Sequence, residues 1–133
     1  MKYWEQALIA FSLCVAPLLH AAQPADPCVA AMTTIDINEC MSLKFTATER
    51  ELDRVYQELI KRIDDNDPKQ VDRGTVQRRL TEAQRSWVAF RRQDCEGMYK
   101  LFEGGSIRNA RFHGCMIERT ERRIAELKGW DQP

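Results

Sequence analysis

Four cysteines carry the clearest chemistry in this sequence: Cys28, Cys40, Cys95 and Cys115. No two of them form a C-x-x-C pair, the spacing typical of zinc sites and thioredoxin-like redox centres. Disulfide bonding is the chemistry that remains. Such bonds persist in proteins exported to an oxidising compartment, where small domains use them to supplement a thin hydrophobic core. The four cysteines therefore predict an exported, disulfide-bonded domain that holds no metal.

Catalytic side chains are scarce elsewhere in the sequence. His113 is the only histidine after residue 22, so any Ser/His/Asp or Cys/His set would have to include it. Once the four cysteines are oxidised, none of them can act as a thiolate nucleophile. Paired carboxylates lie mainly on helix surfaces, where they are ordinarily solvated. The sequence therefore predicts a protein that is not an enzyme and uses no cofactor.

The first 22 residues have the pattern of a signal peptide. Lys2 adds positive charge near the amino terminus, the run Ala7–Leu19 is apolar, and small residues follow a break at Pro17. The run is shorter than the ~20 apolar residues that a transmembrane helix needs. This pattern predicts a periplasmic or secreted protein with no membrane attachment after cleavage. A retained N-terminal anchor is the alternative, and Leu13 before Cys14 argues against a lipoprotein.

Charge and length limit the class of protein. The chain has 20 basic and 20 acidic side chains, and the leader removes one of each. A nucleic-acid partner would require a basic excess, so none is predicted. The roughly 110 residues after the leader suffice for one domain with a modest core. We divide the chain into a signal peptide at 1–22, an N-terminal segment at 23–33 and a helical domain at 34–128.

Apolar residues recur at steps of three and four in three segments, which is the period of amphipathic helices. The first helix is predicted to begin near Thr34 or Asp36, with Asp36 and Glu39 spaced as a capping box, and to stop before Pro68. The second is predicted from about 75 to 102 and the third from about 106 to 128. The fold expected is all-α: a long antiparallel helical hairpin plus a third packed helix, cross-linked by two disulfides.

The predicted inward faces follow from the same periodicity. On the first helix this face ends in a run of large aliphatic and aromatic residues, and on the second it includes Trp87, which we interpret as a core residue. Arg91 is expected near the surface, paired with a carboxylate such as Glu82 or Asp94. The inward residues predicted are Ile37, Met41, Phe45, Leu52, Val55, Tyr56, Leu59 and Ile63; Val76, Leu80, Ala83, Trp87, Phe90, Met98 and Leu101; and Ala110, Ile117, Ile124 and Leu127.

The register of the hairpin suggests how the cysteines pair. If the first helix folds back on the second near residue 69, Cys40 lies opposite a position about one turn from Cys95. The bonds predicted on this basis are Cys40–Cys95 and Cys28–Cys115. The alternative consists of two local bonds, Cys28–Cys40 and Cys95–Cys115.

The segment Ala83–Cys95, with the sequence AQRSWVAFRRQDC, resembles the lysozyme inhibitor LprI-type family. The resemblance covers about residues 28 to 128 and departs from the family pattern at Arg92, where an acidic residue is usual, and in the lipid-attachment context of Cys14. The motif residues are Ala83, Gln84, Arg85, Trp87, Arg91 and Asp94. Further matching positions are Asn38, Glu39 and Cys40; Leu52, Tyr56 and Leu59; Glu103, Gly104, Gly105 and Ser106; and Cys115, Thr120 and Arg122.

This resemblance implies an exported helical protein that binds a protein partner, with a lysozyme as the implied partner. Inhibition would then result from occlusion and not from catalysis. An envelope interaction or stress accessory module with no affinity for lysozyme is the alternative function.

Two predicted loops are candidates for contact with that partner. The acidic turn that contains Asp64, Asp65 and Asp67 would steer the chain toward a basic, animal-type lysozyme, or it is an ordinary polar connection between two helices. The second loop, Glu103-Gly104-Gly105-Ser106, lies at the opposite end of the predicted hairpin. Its glycines permit close approach of a partner, or they supply the left-handed conformation at which helices often end.

Overall fold

The structure is a computed structural model that describes residues 27–65 and 72–130. A short 3₁₀ helix at Pro27–Ala30 precedes three α-helices: α1 (Thr34–Asp65), α2 (Arg73–Leu101) and α3 (Arg108–Lys128). The predicted all-α class is confirmed. The predicted signal peptide at 1–22 and the loop residues Asp67 and Pro68 lie outside the described residues. None of the described helices combines the length and the apolar composition needed to cross a bilayer.

Capping interactions fix where α1 and α2 begin. The hydroxyl of Thr33 accepts a hydrogen bond from the Asp36 backbone N–H, and the Asp36 carboxylate accepts one from the Thr33 N–H, both at 3.1 Å. This is a capping box, but the predicted box of Asp36 with Glu39 is wrong, because Asp36 closes the box and Thr33 opens it. At α2, Asp72 accepts hydrogen bonds from the hydroxyl and the backbone N–H of Thr75. These bonds stabilise its ionised form and lower the pKa of Asp72.

The main core lies where the second half of α1 meets the start of α2 and the end of α3. The apolar stripe predicted on α1 forms its largest part, and Val55 and Leu59 are almost completely removed from solvent. Tyr56 and Trp87 pack against its edge. The buried members of the core are Leu52, Val55, Leu59 and Ile63 from α1, Leu80 from α2, and Ile124 and Leu127 from α3.

The third helix organises the packing of the other two. Helix α3 packs most extensively against α1 and next against α2, whereas α1 and α2 touch each other least. Direct contacts between α1 and α2 include the hydroxyl pair Tyr56–Thr81 at 3.0 Å and the hydrogen bond from Gln77 to Asp64 at 2.5 Å. The first halves of α1 and α3 meet closely, since a Cβ added at Gly114 would lie 3.4 Å from the Met41 methyl group.

Both disulfides are local, and this corrects the predicted pairing. Cys28 is bonded to Cys40 and Cys95 to Cys115, each with a Cα–Cα distance of 5.6 Å. The predicted bonds Cys40–Cys95 and Cys28–Cys115 are wrong, and the alternative is correct. The predicted pairing requires direct contact between α1 and α2 at Cys40, whereas α1 packs mainly against α3. Cys95 instead faces α3, and the 3₁₀ helix turns back so that Cys28 reaches α1.

The inward face of α2 also differs from the prediction. Phe90, Met98 and Leu101 were expected inside, but they are 54%, 37% and 75% exposed. Arg91 and Cys95 occupy the interior instead, at 3% and 0% exposure. Ala83 is exposed as well. The true inward face is therefore rotated by about one residue from the stripe that hydrophobicity alone suggested.

The turn between α2 and α3 needs no left-handed residue. Neither Gly104 nor Gly105 has a positive φ, so the explanation that glycine supplies a left-handed helix end is wrong here. Successive backbone hydrogen bonds close the turn instead, among them Gly105 N–H to the Phe102 carbonyl at 2.9 Å. The third helix then begins at Arg108, slightly later than predicted.

Candidate functional site

Arg91 joins all three helices through one guanidinium group. Its two terminal nitrogens donate to the two carboxylate oxygens of Glu49 on α1, with Nη2 3.0 Å from Oε2. Nη1 also donates to the Thr120 hydroxyl on α3 at 2.6 Å. That hydroxyl is fully buried and donates in turn to the Met116 carbonyl. The expected surface pairing of Arg91 with Glu82 or Asp94 is therefore wrong, because its carboxylate partner is Glu49 on α1.

Aromatic rings enclose the same guanidinium. Its central carbon lies 4.9 Å from the Trp87 ring centroid and 5.8 Å from that of Phe45, within the range of cation–π attraction. Arg123 approaches Trp87 as well, at 5.7 Å. Trp87 is thus a half-buried platform for two arginines at the edge of the core.

Four of the six motif residues form one stripe on α2 that docks α3. Gln84 accepts a hydrogen bond from Arg123 at 3.0 Å, and Asp94 pairs with Arg119 at 2.5 Å. Trp87 and Arg91 lie between them on the same face. Ala83 and Arg85 are exposed beside this stripe. The motif therefore serves α2–α3 packing, and its spacing of three, four and three residues is the signal that could have indicated this from sequence. The partners that sequence reasoning missed are Glu49, Arg119 and Arg123, whereas Thr120 is among the positions that match the family.

His113 is packed as a ring and does not have the surroundings of a general base. It stacks on Phe45 with ring centroids 5.8 Å apart and also contacts Phe112. Its Nδ1 is buried, and no described residue offers it a hydrogen bond. Burial lowers the pKa of His113 because the imidazolium form loses hydration.

One group of potential metal ligands occurs among the described residues, namely Asp94, Cys95 and Cys115. The two sulfurs are bonded to each other, so neither can act as a thiolate ligand. Asp94 is already paired with Arg119. The group is therefore better explained as a disulfide beside an ion pair.

A groove of about 750 Å³ runs along α3 between the start of α1 and the end of α2. Its charged lining includes two ion pairs, Asp94 with Arg119 and Glu118 with Arg122. Arg111 adds a further positive charge. The apolar and small residues that line it are Ile37, Met41, Met98, Ile107, Ala110, Gly114 and Cys115.

The α2–α3 turn lies at one end of this groove and holds the predicted loop Glu103–Ser106. Glu103 pairs with Lys100 at 2.8 Å, and this lysine lowers the pKa of the glutamate. Gly104 and Ser106 are exposed, and Gly105 is half-buried. Leu101 and Ile107, which flank the loop, also expose much of their surface. We call the surface made by Leu101, Phe102, Ile107, Arg108 and Arg111 the turn face.

The acidic residues predicted as a second contact surface lie far from the turn face. Asp64 is engaged locally, because its carboxylate accepts from Gln77 and its carbonyl accepts from Arg73 at 2.8 Å. Asp65 is exposed, and Asp67 lies outside the described residues. The 29 residues of α2, about 43 Å at 1.5 Å per residue, separate the two surfaces. The structure therefore does not bring these two predicted sites together.

Comparison with known proteins identifies the family of this chain. A family model described as Lysozyme inhibitor LprI matches residues 25–127, a range that contains both disulfides and the whole of α1 and α2. The chain belongs to the LprI family. An uncharacterized protein of Rhizobium meliloti (strain 1021), R02472, is 32% identical over 133 residues, covering 96% of this chain and 94% of its own length. No solved structure matches the chain.

Membership of the LprI family confirms the resemblance drawn from Ala83–Cys95. The geometry gives that motif a physical explanation, since its contacts are those that hold α3 against α2. Most of the motif is accordingly occupied by helix packing, so the groove with the turn face, to which Asp94 alone of the motif contributes, is the better candidate for contact with a partner.

Proposed function

We propose that this chain is an exported helical protein that binds a lysozyme and inhibits it by covering its substrate cleft. The observation that carries the proposal is the LprI family match over residues 25–127, because that family is described by lysozyme inhibition. The related Rhizobium protein is uncharacterized and supports only the shared ancestry.

The covalent and ionic links between the described helices support binding by occlusion. A surface that is already ordered loses less conformational entropy on association than a flexible one. Cys95–Cys115 links α2 to α3, and Cys115 itself lines the groove. The Arg91–Glu49 ion pair links α2 to α1. A partner would therefore meet a preformed surface.

The side chains available for chemistry also support a non-catalytic mechanism. His113 is the one histidine among the described residues, and it is stacked against Phe45. The four described cysteines are consumed by disulfides. Occlusion requires none of these groups to react, and export to an oxidising compartment suits both bonds.

The proposal is tested by the rate at which an animal-type lysozyme hydrolyses a soluble chitooligosaccharide in the presence of the purified chain. We expect a saturable loss of rate at micromolar inhibitor and low ionic strength. A soluble substrate is needed because a protein that merely coated insoluble cell wall would also slow hydrolysis. An unrelated cell-wall hydrolase serves as the specificity control, and its rate should not change.

Reduced and alkylated chain provides the matched control for the folded scaffold, and it should not inhibit. An unchanged lysozyme rate at micromolar excess of the native chain would contradict the proposal. The envelope interaction module would then be the better account of the same fold.

A further inference from the structure

Two arginines on the turn face are held against aromatic rings in the same way. The guanidinium carbon of Arg111 lies 5.2 Å from the Phe102 ring centroid, and that of Arg108 lies 5.9 Å from the Tyr99 centroid. Arg108 also donates to the Tyr99 hydroxyl at 3.0 Å. The arginines are three residues apart on α3, and their rings are three residues apart as well, Tyr99 on the last turn of α2 and Phe102 directly after it. The two cations therefore project from one surface in defined positions.

Neither of these guanidinium groups forms an ion pair with a carboxylate in the described part of the chain. The remaining hydrogen bond of Arg108 goes to the backbone carbonyl of Glu103, while the Glu103 carboxylate is paired with Lys100. The other three arginines on α3 behave differently, since Arg119, Arg122 and Arg123 each pair with a carboxylate. Arg111 is also solvent-exposed, so its charge is available to a partner.

Apolar surface surrounds these cations. Leu101 is three-quarters exposed, and Ile107 and Met98 each expose more than a third of their area. An arginine supported by an aromatic ring and surrounded by apolar side chains is the composition typical of residues that dominate protein–protein binding. The chemistry that complements it is a carboxylate set in an apolar pocket.

We infer that Arg111, braced by Phe102 and accompanied by Arg108, is the anchor that enters the carboxylate-containing cleft of a lysozyme. This inference rests on the proposed function. A lysozyme holds two catalytic carboxyl groups on either side of its substrate, one of them in an apolar environment. A guanidinium placed between them would pair with the ionised groups and exclude the sugar from the same position.

The opposite surface of the molecule is a weaker anchor for such a cleft. Asp64 and Asp65 would place like charges against the catalytic carboxylates, which is repulsive. Asp64 is in addition already bonded to Gln77. Charge complementarity with the cleft therefore selects the turn face, even though the overall surface of an animal-type lysozyme is basic.

The test is the Kd for animal-type lysozyme measured by calorimetry for the full chain and two variants. R111Q should weaken binding about 10- to 100-fold, because it removes a desolvated charge–charge hydrogen bond. R50Q is the matched control, since Arg50 is an exposed arginine of α1 and its loss changes the net charge equally. We expect R50Q to change Kd less than about threefold. Both variants should keep the Tm of the parent because both side chains are exposed.

Lysozyme variants with a catalytic carboxylate changed to its amide provide the second arm. Binding of the parent chain should weaken, whereas binding of R111Q should weaken no further, because the contact is already lost. If the parent binds and inhibits but R111Q binds equally well, the inference is overturned and the proposed function stands. If the parent neither binds nor inhibits, both are overturned.

Discussion

Arg91 on α2 forms a two-pronged ion pair with Glu49 on α1, and the two partners differ sharply in exposure. Arg91 is 3% exposed, whereas about a third of the Glu49 side chain reaches solvent. A buried charge that loses its partner keeps the full cost of its desolvation, while a carboxylate near the surface recovers hydration. The arginine therefore depends on the glutamate more than the glutamate depends on the arginine.

The first prediction follows from this asymmetry. Glu49→Gln should lower the free energy of unfolding by about 3 kcal/mol, because it leaves the Arg91 charge buried and unpaired. Arg91→Met should lower the free energy of unfolding by a smaller amount. Without the arginine, Glu49 can be hydrated, and the methionine fills part of the space between Phe45 and Trp87. Urea denaturation at pH 7 measures both variants.

Glu96→Gln is the control, because Glu96 pairs with Arg92 on the exposed face of α2, the helix that carries Arg91. It should cost no more than about 0.5 kcal/mol. The double variant Glu49→Gln/Arg91→Met should lose less free energy of unfolding than the two single variants lose together. Equal costs for Glu49→Gln and Glu96→Gln would show that the Arg91 pair contributes little to stability.

The helices themselves were predictable from the sequence because their apolar periods are long. On α1, Leu52, Val55, Leu59 and Ile63 were all expected inside and are all buried. Local rules suffice for such a helix, since most of its inward positions are aliphatic. The start of α1 near Thr34 follows from the same reasoning.

The face of α2 could not be predicted in this way. Its interior includes Arg91, and the partners that make this burial favourable lie 42 residues away on α1 and 29 residues away on α3. The apolar periodicity of a single helix assigns an arginine to the surface, so the predicted inward face includes Phe90 and not Arg91. The disulfide pairing failed for a related reason, because it depended on which helices touch at Cys40 and not on register along the chain.

The turn face was only partly recognised. The loop Glu103–Ser106 was selected for its glycines, but the residues on which we base the further inference, Phe102, Arg108 and Arg111, flank it. Their importance depends on the cation–π contacts of α3 with Tyr99 at the end of α2 and with Phe102 directly after it. Such contacts emerge only after the two helices are packed together.

The second prediction concerns the main core. Leu59 is completely buried and Leu43 is 65% exposed, and both lie within α1. Leu59→Ala should lower the free energy of unfolding by about 2–5 kcal/mol through lost apolar burial and the cavity left behind. Leu43→Ala is the same substitution at an exposed position of the same helix, and its free energy of unfolding should stay within about 0.5 kcal/mol of that of the parent. Similar urea midpoints for the two variants would contradict the assigned core.

The third prediction concerns the order in which the disulfides are reduced. Chain entropy gives both bonds similar stabilisation, about 3 kcal/mol each for loops of this length. Their surroundings differ, however, because Cys95 is completely buried while Cys28 and Cys40 are only half-buried. Under mild reductant, Cys28–Cys40 should open first and release the 3₁₀ helix. Timed alkylation followed by peptide mass spectrometry measures this order, and earlier labelling of Cys95 would contradict it.

The fourth prediction concerns pH and His113. Burial holds its pKa in the folded chain below the ordinary value near 6.5. In the window between those two values the unfolded chain binds the proton and the folded chain does not. The contribution of neutral His113 to the free energy of unfolding is therefore fully present above about pH 6.5, and it declines as the pH falls through this window. The carboxylates with lowered pKa values, Glu51 among them at about 2, lose their contributions only at more acidic pH.

His113→Phe keeps a ring against Phe45 but cannot titrate, so its unfolding free energy should fall less than that of the parent between pH 7 and pH 5. Parallel pH profiles for the two chains in urea titrations would show that His113 is not the group responsible.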